Sequence, residues 1–451
     1  MLSMVFCQEI PQDFHKYFER EVSLDYNKNW DKHSTLGPPR YVKNHLDNSD
    51  SLKLSYRVGF EIQSNLSKEN NFNLFGYYHF SFKNNFYGYL YSRITGDAES
   101  LSRYSGEPRE ISRLGLNSGE IDLSGVGFEN NWLILQIGRG RQSWGAIRGL
   151  ELALGNSSAP YDYGLFALNF GKLRGKYFHG SLENYDSYNR YIVGHGIEYS
   201  NQKNFIISLS EIVIYSGIGR PLDFSYLNPF FSHLEIELNN RSNSSGNNTG
   251  GGNAVWMQTI DWFIHPKIRM SANFLIDELA IDKIERDNGK EHSLASSLRF
   301  ALNPNIFNSQ YFIFYLQYKK IGSYALRHHR GVNNFVHRGL PLGSELGSDV
   351  IELMAGLNYY NQNNFFVESG ISFKTTGEES IIYRPYEPYL SIKSGPFPSG
   401  SAIDILSYNV SMKHWIKPNI ALLGEIGFEK SKNFNDRFSI SIGINFYNLF
   451  I

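Results

Sequence analysis

The 451-residue chain has one cysteine, Cys7, so no disulfide can brace it from within. No stretch approaches the roughly 18 consecutive apolar residues of a membrane-crossing helix. Basic residues are not in excess: 43 Lys and Arg stand against 44 Asp and Glu. That balance has nothing to spare for a phosphate backbone and excludes nucleic acid as a partner. No Gly-x-Ser-x-Gly elbow offers a serine nucleophile at a strand-to-helix turn. Tryptophan is scarce, yet 33 Phe and 30 Tyr raise the aromatics to 15%.

What the chain has is alternation. Its last stretch reads Phe438-Ser-Ile-Ser-Ile-Gly-Ile-Asn-Phe446, followed by Tyr447-Asn-Leu-Phe450-Ile451. An apolar face opposite a polar one over this length is a strand, and one that closes on an aromatic suits the end of an outer-membrane barrel. From Ser51, Leu52, Leu54, Tyr56, Val58, Phe60 and Ile62 alternate with polar residues and glycine. Similar runs recur at 72–83, 86–95, 110–123, 131–140, 163–171, 174–185, 190–200, 204–216, 254–264, 267–281, 291–302, 310–321, 348–360, 364–376, 404–416, 419–430 and 437–448. Runs of about ten residues are what a tilted strand needs to cross a bilayer.

The connections fall into two kinds. Tight turns such as Gly171-Lys172, Asn201–Asn204, His265-Pro-Lys267 and Lys417-Pro-Asn419 alternate with long loops at 96–109, 141–162, 217–253, 322–347 and 377–403. If the tight turns are periplasmic, 67–71 is an outer hairpin and 230–239 and 381–394 belong to outer loops. The count is then about 18 strands with both termini in the periplasm, an even number as such barrels have. The expected fold is an all-β transmembrane antiparallel barrel over 51–451. A periplasmic segment over 9–50 precedes it, with a short helix signalled by Phe14, Phe18 and Val22 after Pro11. Residues 1–8 read as the remnant of a secretory signal cut ahead of Gln8. Trp132, Trp256, Trp262 and Trp415 lie near expected strand ends, where an interfacial belt would hold them.

Chemistry concentrates at Gly138-Arg-Gly-Arg-Gln-Ser-Trp-Gly145, continuing through Arg148 to Ser158-Ala-Pro-Tyr-Asp162. Arg139 and Arg141 share strand parity and are expected to face the lumen, with Trp144 beside them. Arginine forks and aromatic faces suit acidic sugars. Arginine–carboxylate networks that only brace a wide polar interior use the same residues. Asp277 and Glu278 fall on opposite faces of a strand unless it bulges, with Arg139 or Arg220 as partners across the lumen. A paired-carboxylate glycosidase has no fixed separation here to support it. Arg327-His-His-Arg330 with His337-Arg338 forms a basic loop, read as meeting anionic sugar or lipopolysaccharide; adjacent histidines rarely reach one metal ion together.

The order of these motifs resembles the Wzi capsule assembly family. The Gly-Arg strand end with Trp-Gly and Ser-x-Ala-Pro is followed by Gly217-Ile-Gly-Arg-Pro-Leu-Asp-Phe-Ser-Tyr-Leu-Asn-Pro229, Phe274–Asp282 and His337–Asp349, the last in the form of Bacteroidetes-like versions. The resemblance covers about 130–360 and implies an 18-stranded outer-membrane barrel with lectin-like attachment of capsular polysaccharide. The family's periplasmic helical bundle is a point of departure, because one helix alone precedes the barrel here.

These readings converge on a non-catalytic, lectin-like protein of the bacterial outer membrane that takes part in capsule or exopolysaccharide assembly. Arg139, Arg141, Trp144, Arg148, Arg220, Asp277, Arg327 and Arg338 are the expected polysaccharide contacts. Partners are that polysaccharide, lipopolysaccharide and membrane lipid, and the barrel-assembly machinery during insertion; the chain is expected to be monomeric, with no cofactor and no metal. A channel for anionic oligosaccharides is the alternative, and a barrel-embedded hydrolase the second.

Overall fold

The structure, a computed structural model, describes residues 34–37 and 52–450, apart from 66–67, 84, 97, 99–107, 148, 157, 231, 239–248, 282, 305–309, 362–364, 390–394 and 418–419. The signal-like segment, the helix expected near 10–30 and Arg148 lie outside the described residues.

Alternation builds a barrel. Its strands are β1 (Lys53–Asn65), β2 (Lys68–Phe82), β3 (Phe86–Thr95), β4 (Ser118–Glu129), β5 (Leu133–Gly140), β6 (Tyr161–Phe170), β7 (Leu173–Ser181), β8 (Tyr188–Ser200), β9 (Phe205–Ile218), β10 (Thr249–His265), β11 (Ile268–Glu278), β12 (Ser293–Leu302) and β13 (Gln310–Ile321). A two-stranded hairpin, β14 (Val336–His337) and β15 (Leu340–Pro341), sits within a loop; β16 (Val350–Asn361), β17 (Phe365–Thr376), β18 (Ile403–Lys417), β19 (Ile420–Ser431) and β20 (Arg437–Phe450) complete the wall. The wall is one 18-stranded antiparallel sheet. It closes because β1 pairs with both β2 and β20, Phe60 lying opposite Phe446. Closure leaves no edge to be satisfied by water, which a bilayer lacks.

Side-chain parity separates the faces. Outward positions hold large exposed apolar groups such as Ile137 (73%), Ile442 (66%) and Leu316 (54%). That exposure would be costly in water but suits lipid contact. The tight turns share one rim with the start of β1 and the end of β20, and the long loops share the other. In outer-membrane barrels the turn rim is periplasmic and the loop rim faces outside.

One strand departs from expectation. The run read at 110–123 is instead β4, Ser118–Glu129. Ile111 and Leu114 lie exposed in the loop before it. Gly125-Val-Gly127 resembles a turn but continues the strand, because tyrosine rings from β3 cross the wall there. A Cβ on Gly125 would sit 2.9 Å from Tyr89, and one on Gly127 2.5 Å from Tyr87. The tryptophan belt is also corrected. Trp132 and Trp262 face outward near the turn rim, Trp256 faces outward mid-strand, and Trp415 is buried on the lumen side, 2% exposed, under Lys413.

The lumen changes character along its length. Near the turn rim it is mixed: Arg269 forks onto Asp261 at 2.8 and 2.6 Å and Ser271 donates to the same carboxylate, beside a small buried cluster of Ile206, Phe263, Ala301, Tyr360, Phe366 and Trp415. Toward the loop rim inward positions turn apolar, as at Phe178, Ile192, Ile212, Ile214, Val255 and Leu275. Those groups need a partner inside the barrel, and the loops supply it. Trp144, Leu152 and Leu154 from loop 141–160, and Phe335 and Leu342 from loop 322–349, pack against them in one buried cluster. Residues 34–37 join from the N-terminal side: Leu36 is in the cluster, and the Thr35 backbone N–H and hydroxyl donate to Glu198 at 2.6 and 2.7 Å. Each fully buried Leu or Phe contributes about 1.5–3 kcal/mol, so this is a packed plug.

Candidate functional site

The loop rim gathers most of the residues singled out from sequence but gives them different tasks. Arg139 does not face the lumen. On β5 the inward set is Ile134, Gln136, Gly138 and Gly140, so Arg139 points outward and pairs with Asp162 of β6 at 3.1 Å. Arg141 lies beyond the strand end, where parity no longer applies, and turns inward. It is 5% exposed, donates to the Ser158 carbonyl at 2.6 Å and pairs with Asp122 at 2.8 Å. Asp122 reaches it because a register shift in β4 turns Asp122 inward beside Leu123. Trp144 is fully buried, edge-on to Phe178 at 5.3 Å. A sugar cannot stack on it.

Arg220 lies outside the barrel. Its guanidinium pairs with Asp223 at 3.0 Å and rests over Tyr215 at 4.6 Å. It therefore cannot meet Asp277 across the lumen. Asp277 points inward and accepts from the Leu326 amide at 2.6 Å. Glu278 binds Lys290 at 2.5 Å, and a register shift between Ile276 and Glu278 breaks the alternation at this pair. Arg327 is not solvated: it is 2% exposed, donating to the Glu379 carbonyl at 2.7 Å and to the Glu379 carboxylate. Arg338 is exposed, at the turn between β14 and β15, with φ +50°.

The strongest cluster was not singled out from sequence. Arg190, on the inward face of β8, is fully buried. Its guanidinium donates to the carbonyls of Val332 (2.6 Å), Asn334 (3.0 Å) and Val336 (3.0 Å), and to Glu183 at 2.7 Å. Glu183 also binds His337 and the Tyr386 hydroxyl. Burial alone would raise the Glu183 carboxyl, but the His337 hydrogen bond and the Arg190 charge outweigh it and hold its pKa at about 2. One arginine thus seats the tip of loop 322–349 on the barrel wall and joins it to loops 182–187 and 377–402. The available signal was parity: an arginine at an inward position near the loop rim.

Above this hub the loops present a solvent face. Tyr185 stacks on Tyr386 with ring centroids 3.9 Å apart. Tyr383 is 52% exposed nearby in sequence, and Arg384 bridges Glu379 and Glu387, each at 2.7 Å. Aromatic faces beside charged forks form a surface that can stack on sugar rings and hydrogen-bond their hydroxyl or carboxylate groups.

No known protein family and no curated protein matches the chain in sequence. Among solved structures it is similar to Wzi of Escherichia coli, described as an outer membrane protein involved in group 1 capsule assembly and a carbohydrate-binding β-barrel. The match has a TM-score of 0.60 at 14% identity and covers 86% of this chain and 83% of that one. Pseudomonas aeruginosa OprD is also similar, at TM-score 0.48 and 9% identity over 91% of this chain and 98% of that one. Pseudomonas aeruginosa OccK5 matches at TM-score 0.49 and 8% identity, over 90% and 100%. The likeness to Wzi is one of fold. With the closed 18-stranded wall, it places the protein in the outer membrane.

Proposed function

We propose that the protein is a non-catalytic, lectin-like barrel that binds capsular or exopolysaccharide at the cell surface and takes part in its assembly or attachment. The observation that carries this reading is the plugged loop end. Loops 141–160 and 322–349 fill the lumen there, and at the same rim Arg338 and the neighbouring loops 182–187 and 377–389 present Tyr185, Tyr383 and Arg384 to the outside. A channel would need that space. The Arg141, Arg327 and Trp144 contacts are internal, so sugar recognition moves from them to the rim of loops 182–187, 336–341 and 377–389. The carbohydrate binding described for Wzi lends support through a shared architecture.

The test is binding of surface polysaccharide, purified from the producing bacterium, to the protein in nanodiscs. Two lost stacking contacts at about 0.5–1.5 kcal/mol each predict that Tyr185→Ala plus Tyr383→Ala weakens binding about tenfold. Unchanged affinity in that variant, or large steady conductance of the wild type in planar bilayers, would overturn the reading.

A further inference from the structure

The outer wall carries a second organised site that sugar binding does not use. After β9 the chain folds down the outside of the barrel instead of entering it. The Arg220 carbonyl accepts from Asn189 and Tyr191 on the outward face of β8, at 2.8 and 3.0 Å. Tyr226 stacks flat on Tyr215 of β9 at 4.1 Å. A short helix, α1 (His233–Leu238), follows. This lobe, 219–238, shows Phe224 (81% exposed) and Phe230 (90%) on its far side, an apolar face suited to the surrounding outer leaflet.

Under the lobe lies Glu211. It is on the outward face of a membrane-spanning strand, where a charge costs energy unless it is paired. The Ser232 hydroxyl and the Trp256 indole N–H donate to one carboxylate oxygen, each at 3.0 Å, and the His233 amide donates to the other at 2.8 Å. Two imidazoles complete the site. His195 Nε2 is 3.3 Å from Glu211 Oε2, and His233 Nδ1 is 3.9 Å from the same oxygen. The rings stand edge to face with centroids 4.6 Å apart.

The hydrogen-bond pattern leaves a lone pair without a donor. His233 Nε2 lies 3.3 Å from the Asn228 carbonyl, a contact that requires the proton on Nε2. Nδ1 of the neutral ring is then a bare acceptor, buried without a hydrogen-bond partner and aimed at a carboxylate oxygen. Acceptor facing acceptor in a dry site is repulsive unless a cation lies between them. Donors bound 2.0–2.2 Å from a tetrahedral zinc ion lie about 3.4 Å apart, close to the 3.3 and 3.9 Å separations found here. The Asn228 carbonyl is the outer-shell acceptor that metal-bound histidines use to fix their tautomer.

We propose that His195 Nε2, His233 Nδ1 and Glu211 bind one divalent transition-metal ion of the zinc class, which pins the 219–238 lobe to the outside of the barrel. Two imidazoles and one carboxylate select zinc or cobalt over magnesium and calcium, and the fourth position is left to water.

The test uses full-length protein in detergent, carried on a tag free of histidine, stripped with chelator and titrated with Co²⁺. One Co²⁺ per chain, the visible absorption of tetrahedral cobalt, and displacement by Zn²⁺ are expected, with metal-dependent protection of the lobe from protease. His195→Ala weakens binding by more than about 100-fold, since even loss of an outer-shell partner costs about 10–100-fold. His233→Cys retains Co²⁺ and adds a thiolate-to-cobalt charge-transfer band in the near ultraviolet. The heat-modifiable gel band of the folded barrel controls for misfolding. Absence of saturable binding by the wild type overturns the proposal, as does a His233→Cys protein that binds Co²⁺ without the new band.

Discussion

Replacing Arg190 with alanine tests whether the plug is seated from the wall. The change removes one fully buried guanidinium that reaches three backbone carbonyls and Glu183. Breaking a buried pair from one side costs about 3–5 kcal/mol; His337 and Tyr386 still hold Glu183, so the lower end applies. Each carbonyl left without its donor adds about 1 kcal/mol at the low end of the range. These terms overlap, and a total near 5 kcal/mol for local opening is about a thousandfold or more in population. Amide hydrogen exchange reads it directly, because the Phe335 and Leu342 amides are bonded within this loop, to Leu326 and to Phe335. Their protection is expected to fall by about three orders of magnitude while that of the wall strands is unchanged. Bilayer recordings should then show brief openings that the wild type lacks. Arg190→Lys should recover little, since a point charge cannot serve three carbonyls and a carboxylate together. Unchanged protection at Phe335 and Leu342 in Arg190→Ala would refute the anchoring argument.

Two further outcomes follow from named contacts. Glu183 is held at about 2 against an ordinary value of 4.5, so its contribution is complete above 4.5 and is lost as pH falls from there toward 2. Lowering the pH on the loop side from 6 to 3 should raise the frequency of brief bilayer openings, and Glu183→Gln should flatten that dependence; a Glu183→Gln protein with the wild-type profile would remove Glu183 as the titrating group. Gly127→Ala places a Cβ 2.5 Å from the Tyr87 ring and 2.7 Å from the Leu135 carbonyl, overpacking that costs about 1–3 kcal/mol. A heat-modification midpoint equal to the wild type would show that the ring is not fixed across that strand.

The wall was legible because alternation is a local signal repeated many times, and each repeat restates which face meets lipid. The error at β4 has the same origin. The run at 110–123 was placed by local pattern alone, whereas the strand extends through Gly125 and Gly127, where the rings of Tyr87 and Tyr89 occupy the space from the neighbouring strand. Arg139 and Arg141 show the limit more sharply. Parity holds only while the strand lasts, and β5 ends at Gly140. One residue on, the backbone turns into the plug, and two arginines read as sharing a face point to opposite sides of the wall.

The plug itself was hidden because its partners are far apart in sequence. Trp144 of the plug meets Phe178 of β7, and Arg190 meets Asn334 144 residues away. Neither contact leaves a periodic trace. The inward face of β9 does leave one. Ser208 and Ser210 give way to Ile212 and Ile214, and both isoleucines join the lumenal cluster. A water-filled pore has no use for isoleucine on its polar face. Wherever inward positions turn apolar toward the loop rim, something must cover them, and loops 141–160 and 322–349 are long enough to do so. The same logic applies outside the wall. Glu211 stands at a lipid-facing position where the pattern calls for an apolar residue, and the structure answers with the 219–238 lobe and two histidines. Departures from alternation therefore mark both places where this barrel differs from a plain pore: apolar residues facing inward at the loop rim mark the plug, and a charge facing outward marks the lobe.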